Sequence, residues 1–128
     1  MKPRKRVRLT RPAMQRATEE VRRWAALLET ELCSWPQVTT RPMFGMTAVF
    51  RRGRIFAALP RTRALGTPDS VAFKLSSISP SLQTRLEKDA RIVTRPVTGH
   101  RWIAFELHHD SDLNQALRWF EHAYKLVH

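Results

Sequence analysis

The sequence predicts an α+β fold: an antiparallel sheet of four to five strands with N- and C-terminal helices packed on one face. Three observations carry this expectation. Apolar residues recur at helical spacing towards both ends of the chain, two short apolar segments in the middle flank a glycine, and Trp102 to Leu107 alternates with period two.

Taken in order, residues 1–11 ("MKPRKRVRLTR") have no periodic apolar face and read as a basic flexible arm, and residues 12–128 as one domain. Thr10 followed by Pro12 predicts a helix start, and Met14, Ala17, Val21, Trp24, Ala25, Leu28 and Leu32 continue it at helical spacing to about Cys33. Residues 34–45 read as a connection. Met46–Phe50 and Ile55–Leu59 form a hairpin around Gly53, and "PRTRALGTPDS" reads as a long loop broken by proline and glycine. Val71–Leu75 is a third strand. Ser79-Pro80 opens a short helix carrying Leu82 and Leu86, and Ile92-Val93 is a short strand before a turn at Gly99. Trp102–Leu107 buries Ile103, Phe105 and Leu107. The last helix opens on Asp112 and Gln115 as a capping box and lines up Leu113, Ala116, Leu117, Phe120, Tyr124 and Val127 on one face.

At 128 residues and 42% hydrophobic content the chain has material for one modest core. The sequence holds no apolar run near membrane-spanning length, and its opening residues carry charge without the apolar stretch of a signal peptide, so the expected location is cytoplasmic. One cysteine, Cys33, excludes an intramolecular disulfide and a cysteine-rich zinc site.

The formal charge of +12 is segregated. Residues 1–18, 32–68 and 90–105 hold 16 of the 23 bases and no acid, and the remainder, with all 11 acids, sums to −4. Eighteen bases are arginine, whose planar fork donates to two phosphate oxygens at once. Nucleic-acid contacts are expected from Lys2, Arg4, Lys5, Arg6, Arg8 and Arg11 in the arm, and from Arg51, Arg52 and Arg54 on the hairpin turn. Arg61 and Arg63 just beyond its second strand, and Arg95 and Arg101 in the later basic stretch, complete the set. The competing reading is that exposed turns are commonly charged and that arginine reflects genomic base composition. No helix combines a basic face with base-reading side chains, so contacts would be dominated by phosphates of DNA or RNA; six such contacts on duplex DNA imply a slope of log K against log salt of roughly −5.

"RPMFG", "GRIFAAL" with "VAFKL" behind it, "HRWIAFEL" and "EHAYKLV" resemble the superfamily that includes the TfoX N-terminal domain and the MmcQ/YjbR proteins, over roughly residues 14–127. The matching positions are Pro42, Phe44, Gly45, Gly53, Phe56, Ala57, Phe73, Lys74, Trp102 and Tyr124, with Ala123 where YjbR-like proteins tend to have Ser before Tyr. The resemblance implies that these are fold-determining positions in an α+β domain. It also implies a non-enzymatic regulatory role: TfoX proteins are linked to control of natural competence, and YjbR-like proteins have been proposed to bind DNA through paired wing-like hairpins. Full-length TfoX proteins have a second, helical domain that this sequence is expected to lack.

No cofactor, small-molecule substrate, metal site or catalytic residue is predicted. His108 and His109 are adjacent on a strand end and point to opposite faces, and Asp110 and Asp112 read as helix caps. Cys33 reads as a small packed residue beside the apolar stripe, and Trp102 and Trp119 read as packing rather than as stacking platforms for bases. The alternative to nucleic-acid binding is a protein-interaction module that engages a partner or forms a homodimer through an aromatic surface.

Overall fold

The local chemistry of the sheet decides the architecture. The computed structural model describes residues 14–93 and 102–127, in the order β1 (Met14–Arg16), α1 (Glu19–Cys33), β2 (Val38–Met43), β3 (Met46–Arg51), β4 (Arg54–Pro60), β5 (Arg63–Leu65), β6 (Ser70–Lys74), α2 (Pro80–Lys88), β7 (Trp102–Glu106) and α3 (Asp112–Leu126). Five strands form one antiparallel sheet, β2-β3-β4-β6-β7, and β1 pairs with β5 in a separate two-stranded ribbon. The α+β expectation is met, with the sheet at the upper end of the predicted strand number.

Two-residue loops join β2 to β3 and β3 to β4. Phe44 and Gly45 in the first, and Arg52 and Gly53 in the second, all have positive φ, the signs of a type I′ turn whose twist matches that of the strands it connects. Period-two alternation then sorts the sheet. Val49, Ala57, Leu59, Val71, Phe73, Ile103 and Phe105 join the main core beneath α1 and α3, which pack across β4 and β6. Met46, Ala58 and Ala72 face the other way, with Met43, Leu65 and Trp102 packed beside them. The register shifts between Val49, which faces Ala57, and Phe50, which faces Ile55, leaving the fully buried Phe56 as the extra residue of a β-bulge in β4.

The structure corrects the sequence reading at several boundaries. Residues 14–16 are strand, and α1 begins at Glu19 because Thr18 caps it, its hydroxyl accepting from the Val21 N–H at 3.2 Å and donating to Asp69 at 2.8 Å. Residues 38–43 are not a connection but the edge strand β2, where Pro42 is tolerated because an edge leaves one side of the backbone unpaired. The loop after β4 contains the strand β5, and Ile92 makes one isolated bridge to Phe105.

Asp112 does not form the capping box. Ser111 is the N-cap, and the buried Asp112 carboxylate reaches back to accept from the backbone N–H of His108 (2.7 Å) and His109 (3.0 Å), tying the helix start to the end of β7. The buried face of α3 is Ala116, Trp119, Phe120 and Ala123, with Leu113, Leu117 and Tyr124 at its margin. Ala104 is as buried as Ile103 and Phe105, so β7 is covered on both faces. Cys33 is exposed rather than packed.

Candidate nucleic-acid interface

Within the described residues, each predicted contact residue has a place that follows from the turn or strand it occupies. Lys2, Arg4, Lys5, Arg6, Arg8, Arg11, Arg95 and Arg101 lie outside the described residues. The remaining five do not form one patch.

Arg51 closes β3, and its side chain turns inward on to the end of α3. Its Nη1 donates to the carbonyls of Tyr124 (2.8 Å) and Val127 (3.1 Å), and the guanidinium sits 4.2 Å from the centre of the Tyr124 ring. The last carbonyls of a helix lack intrahelical donors and carry the negative end of its dipole, so a cation there is held by structure. Arg51 is thereby removed from the predicted arginine tip.

Arg52 and Arg54 do stand exposed on that tip. Arg52 is fixed by Gln37, whose carbonyl accepts from its backbone N–H (3.1 Å) and whose Oε1 accepts from its Nε (2.6 Å). Arg61 and Arg63 lie at the other end of β4. With seven residues in that strand at about 3.3 Å each, the two arginine pairs are about 20 Å apart.

The second end is built around Gly45. Its carbonyl accepts backbone N–H groups from Arg61 (3.1 Å), Thr62 (2.9 Å) and Arg63 (3.0 Å), so the β2–β3 turn is bolted to the chain entering β5. A Cβ on Gly45 would lie 2.7 Å from both Arg63 Cγ and Thr62 Oγ1, which is why only glycine fits. Arg16 pairs with Arg63 across the ribbon, bringing a third exposed arginine to this end. Phe44, beside Gly45 on the turn, is 78% exposed.

Charge neutralisation is uneven. Among the described residues, ion pairs join Arg91 to Asp112, His108 to Glu106 and Lys125 to Glu121, and none involves Arg16, Arg41, Arg52, Arg54, Arg61 or Arg63. Arg41 instead lies over the Phe50 ring at 4.6 Å. A further groove, between α2 and α3, is lined by Arg85, Lys88, Arg91, Arg118 and His122, but it also holds Asp89 and Asp112. Asp89 there accepts from the Trp119 indole at 2.8 Å.

Measured against protein-family models, curated proteins and solved structures, the chain matches none.

The positions carried by the sequence resemblance divide by their contacts. Phe56, Ala57 and Phe73 are core, Phe73 stacking on Trp119 at 5.4 Å between centroids. Tyr124 packs edge-on against Trp35 and Phe56 and donates its hydroxyl to the Pro36 carbonyl at 2.8 Å. Lys74 and Trp102 are half-buried cross-strand partners, Gly45 and Gly53 make the turns, and Pro42 is exposed on the edge strand. Phe44 alone among the Phe, Trp and Tyr side chains is mostly in solvent. Its exposure was signalled by "MFGM", a two-residue loop between apolar strand ends, once β2 is recognised as a strand.

Among the described residues no three His, Cys, Asp or Glu side chains come together as metal ligands would, and no helix is long and apolar enough to cross a membrane. Slight desolvation at the end of α1 pushes the pKa of the exposed Cys33 thiol up, with Glu29 adding to the shift, which disfavours the nucleophilic thiolate. Burial also lowers the His122 pKa, helped by Arg85 and Lys125 and opposed by Glu121.

Proposed function

We propose that this protein is a small, non-enzymatic regulatory protein that binds nucleic acid through its phosphates, using exposed arginines at both ends of β4. The supporting observation is the set Arg16, Arg52, Arg54, Arg61 and Arg63, exposed at the ends of strands and outside the three ion pairs found among the described residues. Backbone hydrogen bonds to Gln37 and Gly45 fix the turns beneath them, so little backbone entropy is lost on engaging a polyanion. Phosphate contact needs cationic donors and no base-reading helix, which is what the two ends offer. The TfoX/YjbR resemblance, carried by sequence motifs alone, supports a regulatory role by analogy and is part of the same reading.

Fluorescence anisotropy of labelled duplex and single-stranded DNA, titrated with the full chain at about 50 to 300 mM salt, tests it. Binding whose log K falls with log salt by about 0.9 per phosphate on duplex and about 0.7 on single strands is expected. No binding at about 100 mM salt, or affinity indifferent to salt, overturns it.

A further inference from the structure

Phe44 is the residue for which the fold gives no reason. Its φ of +50° is one that a bulky L-residue rarely adopts, and at the first central position of a type I′ turn asparagine, aspartate or glycine is the ordinary occupant. The strain is not offset by burial, since the side chain is 78% exposed and makes no ring contact among the described residues. Gly45 next to it is accounted for in full by its fit against Arg63 and Thr62. An uncompensated outlier of this kind points to a ligand.

Its surroundings say which ligand. The Arg63 side chain passes over Gly45, the Arg61 N–H is bonded to the Gly45 carbonyl, and Arg16 is the cross-strand neighbour of Arg63. All three are exposed, and none forms an ion pair among the described residues. A solvent-facing aromatic ring on a turn bonded to the backbone of two exposed arginines combines a stacking platform with phosphate donors, the pairing by which single strands are held without regard to sequence. A base inside an intact duplex presents no free face to such a ring, whereas an unpaired base does.

We propose that Phe44 stacks on an unpaired base, with Arg16, Arg61 and Arg63 on the flanking phosphates, so that this end of the sheet prefers single-stranded to duplex nucleic acid. This rests on the nucleic-acid reading above and narrows it.

The test compares the full chain with Phe44→Asn and Phe44→Tyr on three labelled probes of equal length: oligo-dT, a duplex, and an abasic single strand that keeps phosphates and lacks bases. Asn-Gly is the preferred pair for this turn, so Phe44→Asn should melt no lower than the parent chain; Phe44→Gly gives a second variant free of the aromatic ring. Phe44→Asn should weaken oligo-dT binding by about 5- to 160-fold, the range for loss of one base–aromatic stack. Duplex and abasic affinities should change by less than about twofold, because phosphate contacts remain. Phe44→Tyr should retain oligo-dT binding.

If the parent chain binds all three probes and Phe44→Asn binds oligo-dT equally well, stacking is refuted while phosphate binding stands. Equal losses on duplex and oligo-dT also refute it, in favour of a wedge into the duplex. If the parent chain binds none of the probes and Phe44→Asn instead abolishes a self-association seen by sedimentation, both readings fall and Phe44 is a protein contact.

Discussion

Arg51 holds Tyr124 twice, through a hydrogen bond to its carbonyl at 2.8 Å and through a guanidinium placed 4.2 Å over its ring. The same guanidinium nitrogen reaches the Val127 carbonyl, and Tyr124 in turn bonds Pro36, so one arginine fastens the end of β3, the end of α3 and the segment before β2. A residue that the charge pattern assigns to an external ligand has an internal one instead.

Arg51→Ala should therefore act on stability. Charge-assisted bonds at a helix C-terminus and a cation–π contact are lost together, at a cost of about 2–3 kcal/mol. Arg51→Lys should recover only part, because a point charge replaces the flat fork that lies over the ring. Urea denaturation of the three chains checks this. A stability near that of the parent for Arg51→Ala would show that the contact is incidental.

The two turn glycines separate conformation from contact. Gly45 and Gly53 share a φ of +79°, but a Cβ on Gly53 would meet nothing within 4 Å, whereas on Gly45 it would strike Arg63 and Thr62. Gly53→Ala should cost about 1–2 kcal/mol, the left-handed penalty alone. Gly45→Ala should cost more than Gly53→Ala, since the backbone of residues 61–63 cannot retreat without giving up bonds to the Gly45 carbonyl. Equal midpoints in thermal melts of the two variants would contradict the packing account.

Asp112 predicts the pH dependence. Burial raises its pKa, but the His108 and His109 backbone donors and Arg91 outweigh that and leave it below the ordinary aspartate value. In the window beneath about pH 4 the unfolded chain binds the proton more readily than the folded one, so stability increases with pH there. The contribution is complete at neutral pH and disappears as pH falls through the depressed folded value. Asp112→Asn should cost about 1–2 kcal/mol at pH 7 and flatten the acid limb of the stability profile. An unchanged acid limb would place the titration elsewhere.

What the sequence made legible was periodicity. The α1 stripe from Val21 to Leu32, the hairpin around Gly53, the Ser79 cap of α2 and the buried set Ile103, Phe105 and Leu107 all follow from local pattern. Strand β2 is hidden in the sequence because "VTTRPM" is half exposed on an edge and contains proline, so alternation is weak and its partner lies in the next strand. The sequence leaves the start of α3 ambiguous because both Asp112 and Ser111 suit a helix start, and only the fold shows that the Asp112 carboxylate reaches back to His108 and His109. For the site, exposure of charge was legible but its grouping was not: Arg51, Arg52 and Arg54 are neighbours in sequence, yet alternation sends Arg51 to α3, while Arg16 and Arg63, 47 positions apart in sequence, stand side by side.

That grouping yields the last prediction. If one polyanion spans both ends of β4, about 20 Å is the length of about six base pairs, short enough for a single duplex to touch Arg52 and Arg54 at one end and Arg61 and Arg63 at the other. Arg52→Ala with Arg54→Ala, and Arg61→Ala with Arg63→Ala, should then each make the duplex salt slope shallower by about 1 to 2, and the fourfold variant by about the sum. Arg51→Ala, measured where it is still folded, should leave the slope as it is. On oligo-dT the Arg61/Arg63 pair should matter more than the Arg52/Arg54 pair, because only that end carries Phe44. The reverse order on oligo-dT would move the single-strand site to the β3–β4 turn, and a slope change from Arg51→Ala alone would return that residue to the surface that meets phosphate.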